Sequence, residues 1–144
     1  MANRRKRTGA VARRRGARRT STGTPADTKN KAYTITIGYD EAKAKFAYTC
    51  ADELGNPVKG TTTFEIPAGG GTNTLNFTSA QPWAIHFDQN KTPTKTVKHG
   101  GKAHETRGDR LRPHSTRKVY KFSVAVSDSQ GRVDMDDPEV DVQP

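Results

Sequence analysis

From Tyr33 onward, apolar and polar residues alternate with a period of two. Tyr33, Ile35 and Ile37 are interleaved with Thr34 and Thr36. Successive side chains of a strand point to opposite faces, so this pattern predicts a half-buried β-strand. Ala44, Phe46 and Tyr48, opposed by Lys43, Lys45 and Ala47, predict a second strand. Thr62, Phe64 and Ile66 predict a third, closed by Pro67, and Leu75 and Phe77 mark a fourth. Trp83, Ile85 and Phe87 mark a fifth after Pro82, with His86 facing solvent between them. Residues 119–127 alternate most clearly, with Tyr120, Phe122, Val124 and Val126 on one face. Val133 and Met135 predict a short return strand, and Val140 and Val142 a final one beyond Asp136-Asp137-Pro138. Turn formers separate these segments: Gly38 to Glu41, residues 51–60, Gly69 to Gly71 and Asp128 to Gly131. No stretch carries a 3.6-residue period. The fold class is therefore all-β, a single β-sandwich of seven or eight short strands, because one-sided strands must bury their apolar faces against a second sheet. Immunoglobulin-like topology is the expectation, with a small barrel as the alternative.

Residues 88–118 interrupt the pattern. Val97 and Leu111 are their only large aliphatics, and nine basic residues stand against Asp88, Glu105 and Asp109. The expectation is a long basic loop, functional or disordered.

Charge changes the picture at the other end of the chain. Residues 1–31 hold eleven Lys and Arg against Asp27, a net +10, whereas residues 32–144 hold fourteen charges of each sign. The net charge of the chain thus sits ahead of the first strand. Nine of the first nineteen positions are basic, and none is acidic or aromatic. Such a stretch buries no core and repels itself, so a disordered tail is expected until an anion meets it. Residues 20–31 are small and polar, a linker composition. The domain organisation read from this is a tail and linker over 1–31 and a sandwich domain over 32–144.

Arginine grips phosphate oxygens with a planar fork and stays charged at any relevant pH. The residues expected to contact nucleic acid are Arg4, Arg5, Lys6, Arg7, Arg13, Arg14, Arg15, Arg18 and Arg19. Clustered cations displace counterions from a polyanion without reading its sequence, and the missing aromatics leave no base stacking to the tail. The competing reading is a solvated or localisation-type basic tail. Secondary nucleic-acid or assembly contacts are expected at Lys95, Lys98, Lys102, Arg107, Arg110, Arg112 and Arg117. A mobile soluble insertion is the bland alternative for that stretch. Arg107-Gly108-Asp109 spells an integrin-type tripeptide, which chance explains.

Other chemistry finds little support. His99, His104 and His114 follow no zinc-ligand spacing, and no cofactor or metal is expected. Cys50 is alone, so no intramolecular disulfide is possible, and its place at the end of an apolar strand suggests an inert structural thiol. Gly69 to Gly71 lack the Lys and helix of a phosphate-binding loop. Asp134, Asp136, Asp137, Glu139 and Asp141 suggest an edge that repels strand addition, or a dock for a basic segment, ahead of a calcium site. Gly9 to Ala12 is too short for a secretory apolar core, and no run reaches membrane-spanning length. The expected location is cytoplasmic or nucleoid-associated, or a virion.

The ending Asp136-Asp137-Pro138-Glu139-Val140-Asp141-Val142-Gln143-Pro144 follows a strand and a Ser-Asp-Ser-Gln-Gly-Arg turn. It resembles the close of the small bacterial proteins of the DP-EP family, named for Asp-Pro and Glu-Pro endings, although this chain ends in Gln-Pro. The resemblance implies a β-sandwich and no activity. The layout of arginine-rich arm, Thr/Gly/Pro linker and sandwich is similar to that of small RNA virus coat proteins. That likeness implies an arm that neutralises packaged genome. The function expected is non-enzymatic, sequence-independent nucleic-acid binding. The alternative is a capsid-type protein that packages nucleic acid and self-associates into an oligomer or lattice.

Overall fold

A computed structural model describes residues 31–67, 73–112 and 118–143. It contains ten strands and, among the described residues, no helix. They are β1 (Ala32–Asp40), β2 (Lys45–Asp52), β3 (Thr63–Pro67), β4 (Thr74–Ser79), β5 (Trp83–Phe87), β6 (Lys98–Gly101), β7 (Arg107–Arg110), β8 (Lys118–Ser127), β9 (Val133–Asp136) and β10 (Glu139–Gln143). The first sheet has the order β2-β1-β4-β7, and the second β3-β10-β8-β5-β6. β9 and β10 pair in line with the two halves of β8, broken at Asp137-Pro138. Two neighbour pairs are parallel, β1 with β4 and β3 with β10, and the rest are antiparallel.

The alternating residues become the core between the sheets. Ile35, Ile37, Phe64, Ile66, Leu75, Phe77, Phe87, Val124, Val140 and Val142 have no exposed surface. Phe77 stands at the centre, its ring centroid 5.3 Å from Phe122, 6.2 Å from Phe87 and 6.4 Å from Trp83.

The strand count exceeds the expected seven or eight, and the excess lies in the stretch expected to be a loop. β6 is Lys-His-Gly-Gly and β7 is Arg-Gly-Asp-Arg, neither with an apolar alternation. They are strands because β5 and β4 supply hydrogen-bonding partners along their length. Glycine is required at two of these positions. A Cβ on Gly108 would collide with the Leu75 carbonyl oxygen, and one on Gly101 would enter the Trp83 indole. Leu111, which directly follows β7, is buried. Ala44 also departs from expectation: it sits in the β1–β2 turn at φ 53° and is exposed.

β9 is a strand as expected, but its apolar residues face outward. Val133 and Met135 are 64% and 66% exposed. Asp134 and Asp136 turn toward the first sheet, where the Tyr39 hydroxyl donates to Asp134 and the Tyr48 hydroxyl donates to Asp136 at 2.8 Å. These bonds join the β1–β2 edge to the β9 edge, so two of the C-terminal acids hold the sheets together.

Burial pushes the Cys50 thiol up to about 12, reinforced by the Asp52 charge. The hydrogen bond to Asp134 pushes Tyr39 up to about 12, and burial followed by the bond to Asp136 raises Tyr48. Each group keeps its proton in the fold at pH values where the unfolded chain has lost it. Their stabilisation is therefore full below the ordinary values of 9.0 for the thiol and 10.0 for the phenols, and that of Cys50 and Tyr39 is lost as pH rises through about 12. Urea unfolding should show a steady midpoint from neutrality to about pH 9 and a continuous fall above it. A midpoint unchanged up to pH 12 would contradict this account.

Candidate nucleic-acid interface

The basic N-terminal segment enters the fold through Lys31. The Lys31 amide donates to Asn73 Oδ1 at 3.1 Å, and its carbonyl accepts the Thr74 amide at 2.9 Å. Asn73 is 1% exposed, and it also donates from Nδ2 to the Pro67 carbonyl and accepts the Leu111 amide on its own carbonyl. One buried asparagine thus ties the root of the segment to the end of β7. Arg110 is the register partner of Thr74, and the Arg112 amide donates to the Pro93 carbonyl at 2.7 Å. Lys31, Arg110 and Arg112 therefore share one end of the sandwich.

The same end carries a cleft of about 370 Å³ lined by Asn90, Lys91, Thr92, Arg112, Lys118 and Tyr120. Thr92 in its lining begins a threonine ladder. Thr92 Oγ1 donates to the Thr94 carbonyl at 3.0 Å, and Thr94 Oγ1 donates to the Thr96 carbonyl at 2.7 Å. Thr92 and Thr94 are buried, so the segment is pinned although its sequence has no strand signal. Lys91, Arg112 and Lys118 are exposed around the cleft. Three cations converging on one concavity suit phosphate oxygens, which accept charge-assisted hydrogen bonds. On the β2 side the root is acidic: the Ala32 amide donates to Glu53, and the hydrogen bonds of Asn56 and Leu54 together with the Lys31 charge outweigh desolvation and hold the Asp52 carboxyl low.

The secondary contacts expected from the sequence do not form one patch. Arg110 and Arg112 join the root of the N-terminal segment. Lys95 is exposed on the stretch between the cleft and β6. Lys98 lies on the outer face of the second sheet beside His86. Lys102 and Arg107 are at the opposite end, where Arg107 is bound to Glu105 at 2.7 Å. The Lys102 amide and the Arg107 guanidinium hold the Glu105 carboxyl below its ordinary range, so the charge of Arg107 is already engaged. Arg117 and the nine basic residues from Arg4 to Arg19 lie outside the described residues.

Lys31, Lys91 and Lys118 were not singled out from the sequence. Lys91 and Lys118 lie 27 positions apart, one near each end of the basic stretch, and only closure of the β5–β8 pair brings them to one cleft. The one sequence signal for them was the high density of lysine and arginine over 88–118.

His99 adds no cation here. Its ring is stacked on Phe77 at 6.1 Å, and burial pushes it below the ordinary imidazole value against the opposing pull of Asp109. His86 faces solvent, as its strand position predicts. Among the described residues no three His, Cys, Asp or Glu side chains stand together to hold a metal ion. Cys50 is buried and its raised pKa leaves no thiolate at neutral pH. No described helix is long and apolar enough to cross a membrane. No protein-family model matches the chain, and no curated protein matches it in sequence.

Proposed function

We propose that this protein binds nucleic acid through its phosphates, without sequence preference and without catalysis. The N-terminal basic segment supplies most of the attraction, and the cleft at its root supplies a second contact. The carrying observation is the placement of Lys91, Arg112 and Lys118 around one cleft, at the end of the sandwich where Lys31 is anchored. A polyanion held by the segment meets that end first, and the neutral body adds no competing long-range field. Packaging of an enclosed genome is the second reading; it uses the same contacts and additionally requires self-association of the sandwich.

The nine cations from Arg4 to Arg19 and the three of the cleft, neutralising twelve phosphates, give a plot of log affinity against log salt with a slope of about −11 on duplex DNA. Titration of an arbitrary duplex and a second of unrelated sequence, each from 50 to 200 mM salt, should give the same steep line. The triple variant Lys91→Glu, Arg112→Glu, Lys118→Glu should bind about tenfold more weakly at 100 mM salt and flatten the slope by about 3. A slope near zero, or strong preference for one sequence, would refute the proposal. An unchanged slope in the triple variant would confine binding to the N-terminal segment.

A further inference from the structure

The outer face of the second sheet is unpartnered and unusually bare. Reading across β6, β5, β8 and β9, one row of outward residues is Gly100, Ala84, Ala125 and Met135. The next row begins Lys98, His86, Ser123, and Asp137 follows β9 beside them, lining a shallow cleft with His86 and Ser123. Met135 and Val133 stand up at one side, while nothing larger than a hydrogen atom stands on Gly100 at the other. The two sides also differ in charge. On the β9 side the face carries Asp137, in a cleft that it shares with Lys121 of β8, whereas the β6 side presents Lys98.

Two edge strands carry charges that are held by hydrogen bonds: Asp134 and Asp136 of β9 accept from Tyr39 and Tyr48 of the first sheet, and Asp109 of β7 accepts from Thr96, just ahead of β6. Inward-pointing charges on edge strands oppose pairing with another chain. At β7 and β9 the face offers a partner more than the edge does.

We propose that this face takes a second copy of the chain across a two-fold axis that lies between β5 and β8 and runs parallel to them. Such an axis reverses the row. Met135 of each copy then sits over Gly100 of the other, and Ala125 sits over Ala84. In the adjacent row Lys98 of each copy meets Asp137 of the other. The large residue meets the hole and the cation meets the acid, twice, because an isologous contact repeats every pair. The small central residues let the two sheets approach to the roughly 10 Å of packed β-layers. Rotation about an axis across the strands would instead set Met135 against Met135 and Lys98 against residues of its own side, which loses both complementarities.

The face spans four strands of about five residues, roughly 300 Å² per copy from strand spacing and rise. A standard interface uses about 800 Å² per partner, so the free protein forms a weak dimer. Copies bound along one nucleic acid raise their local concentration and populate it. The proposal is read from the sandwich alone and does not rest on the nucleic-acid reading.

The test is sedimentation equilibrium of the full chain, freed of nucleic acid, from about 10 µM to about 1 mM at 50 mM salt. The expected result is a monomer–dimer equilibrium without larger species. Ala84→Arg and Ala125→Arg, both at outward positions, should each weaken it about tenfold or more with the melting temperature little changed. Lys98→Glu and Asp137→Lys should each weaken it about fivefold, and the double charge swap should restore it. A monomer at every concentration, open-ended oligomers, an undisturbed dimer in Ala84→Arg, or a double swap no better than its singles would each overturn the proposal. Should either arginine variant fold poorly, the charge-swap set alone decides.

Discussion

Removal of residues 1–30 lowers the affinity for duplex nucleic acid by about 10³-fold or more at 50 mM salt. The reason is where the charge sits. The segment carries ten Lys and Arg against Asp27, and residues 32–144 are balanced at fourteen against fourteen. Each phosphate neutralised releases counterions, and the gain scales with the number of contacts. The cleft cations at Lys91, Arg112 and Lys118 number three, so the truncated chain keeps a shallow slope of about −3 in place of about −11. The loss therefore shrinks as salt rises, and at 200 mM the two proteins differ much less than at 50 mM. Fluorescence anisotropy across that range measures both slopes. Lys31 should be retained in the truncation, since its amide and carbonyl bond Asn73 and Thr74 and anchor β1. Truncated protein that binds within tenfold of the full chain at 50 mM salt would remove the segment from the account and shift the burden to the sandwich.

Phe77→Ala is expected to cost about 3–5 kcal/mol, the largest effect of any single substitution in the sandwich. The ring has no exposed surface and lies within 6.4 Å, centroid to centroid, of Trp83, Phe87, His99 and Phe122. It joins the first sheet to three strands of the second, so the cavity left behind is walled by rigid aromatics that cannot collapse into it. A domain of this size has a total stability of about 6–17 kcal/mol. The variant should melt about 20 °C lower and unfold in less urea with an unchanged m-value. A loss below about 1 kcal/mol would mean that the core is not centred on this ring. Ser79, also buried in β4, gives a useful contrast. Its hydroxyl donates to the Ile37 carbonyl at 2.7 Å and accepts the Gln81 amide at 3.2 Å, so Ser79→Ala costs about 1–2 kcal/mol through lost hydrogen bonds and not through a cavity.

The long strands were legible because each buries one face and exposes the other. Tyr33 to Ile37, Trp83 to Phe87 and Tyr120 to Val126 write that burial directly into the order of residues. β6 and β7 were not legible, because edge strands over Gly101 and Gly108 bury little of their own. Their stability comes from neighbours far away in sequence, and glycine there answers a steric demand of Trp83 and Leu75. β9 misled in a different way. Its Val-Asp-Met-Asp alternation has the right period for a strand, and period alone does not say which face is inward. Two tyrosine hydroxyls on the opposite sheet draw the aspartates in, and the apolar pair is left outside.

The two ends of the chemistry divide similarly. The excess of arginine before residue 20, the neutrality of the rest, the absence of a second cysteine and the all-β class are properties of composition and local order. They hold whatever the chain packs against, so the sequence by itself determined them. Which cations share a cleft, which acids bind the sheets together and which face is left bare depend on pairings far apart along the chain, the two tyrosine–aspartate bonds spanning 88 and 95 residues. Contacts at such separations exist only after the chain has closed on itself, since side chains meet through space and not along the sequence. Those features were decided by the tertiary structure alone.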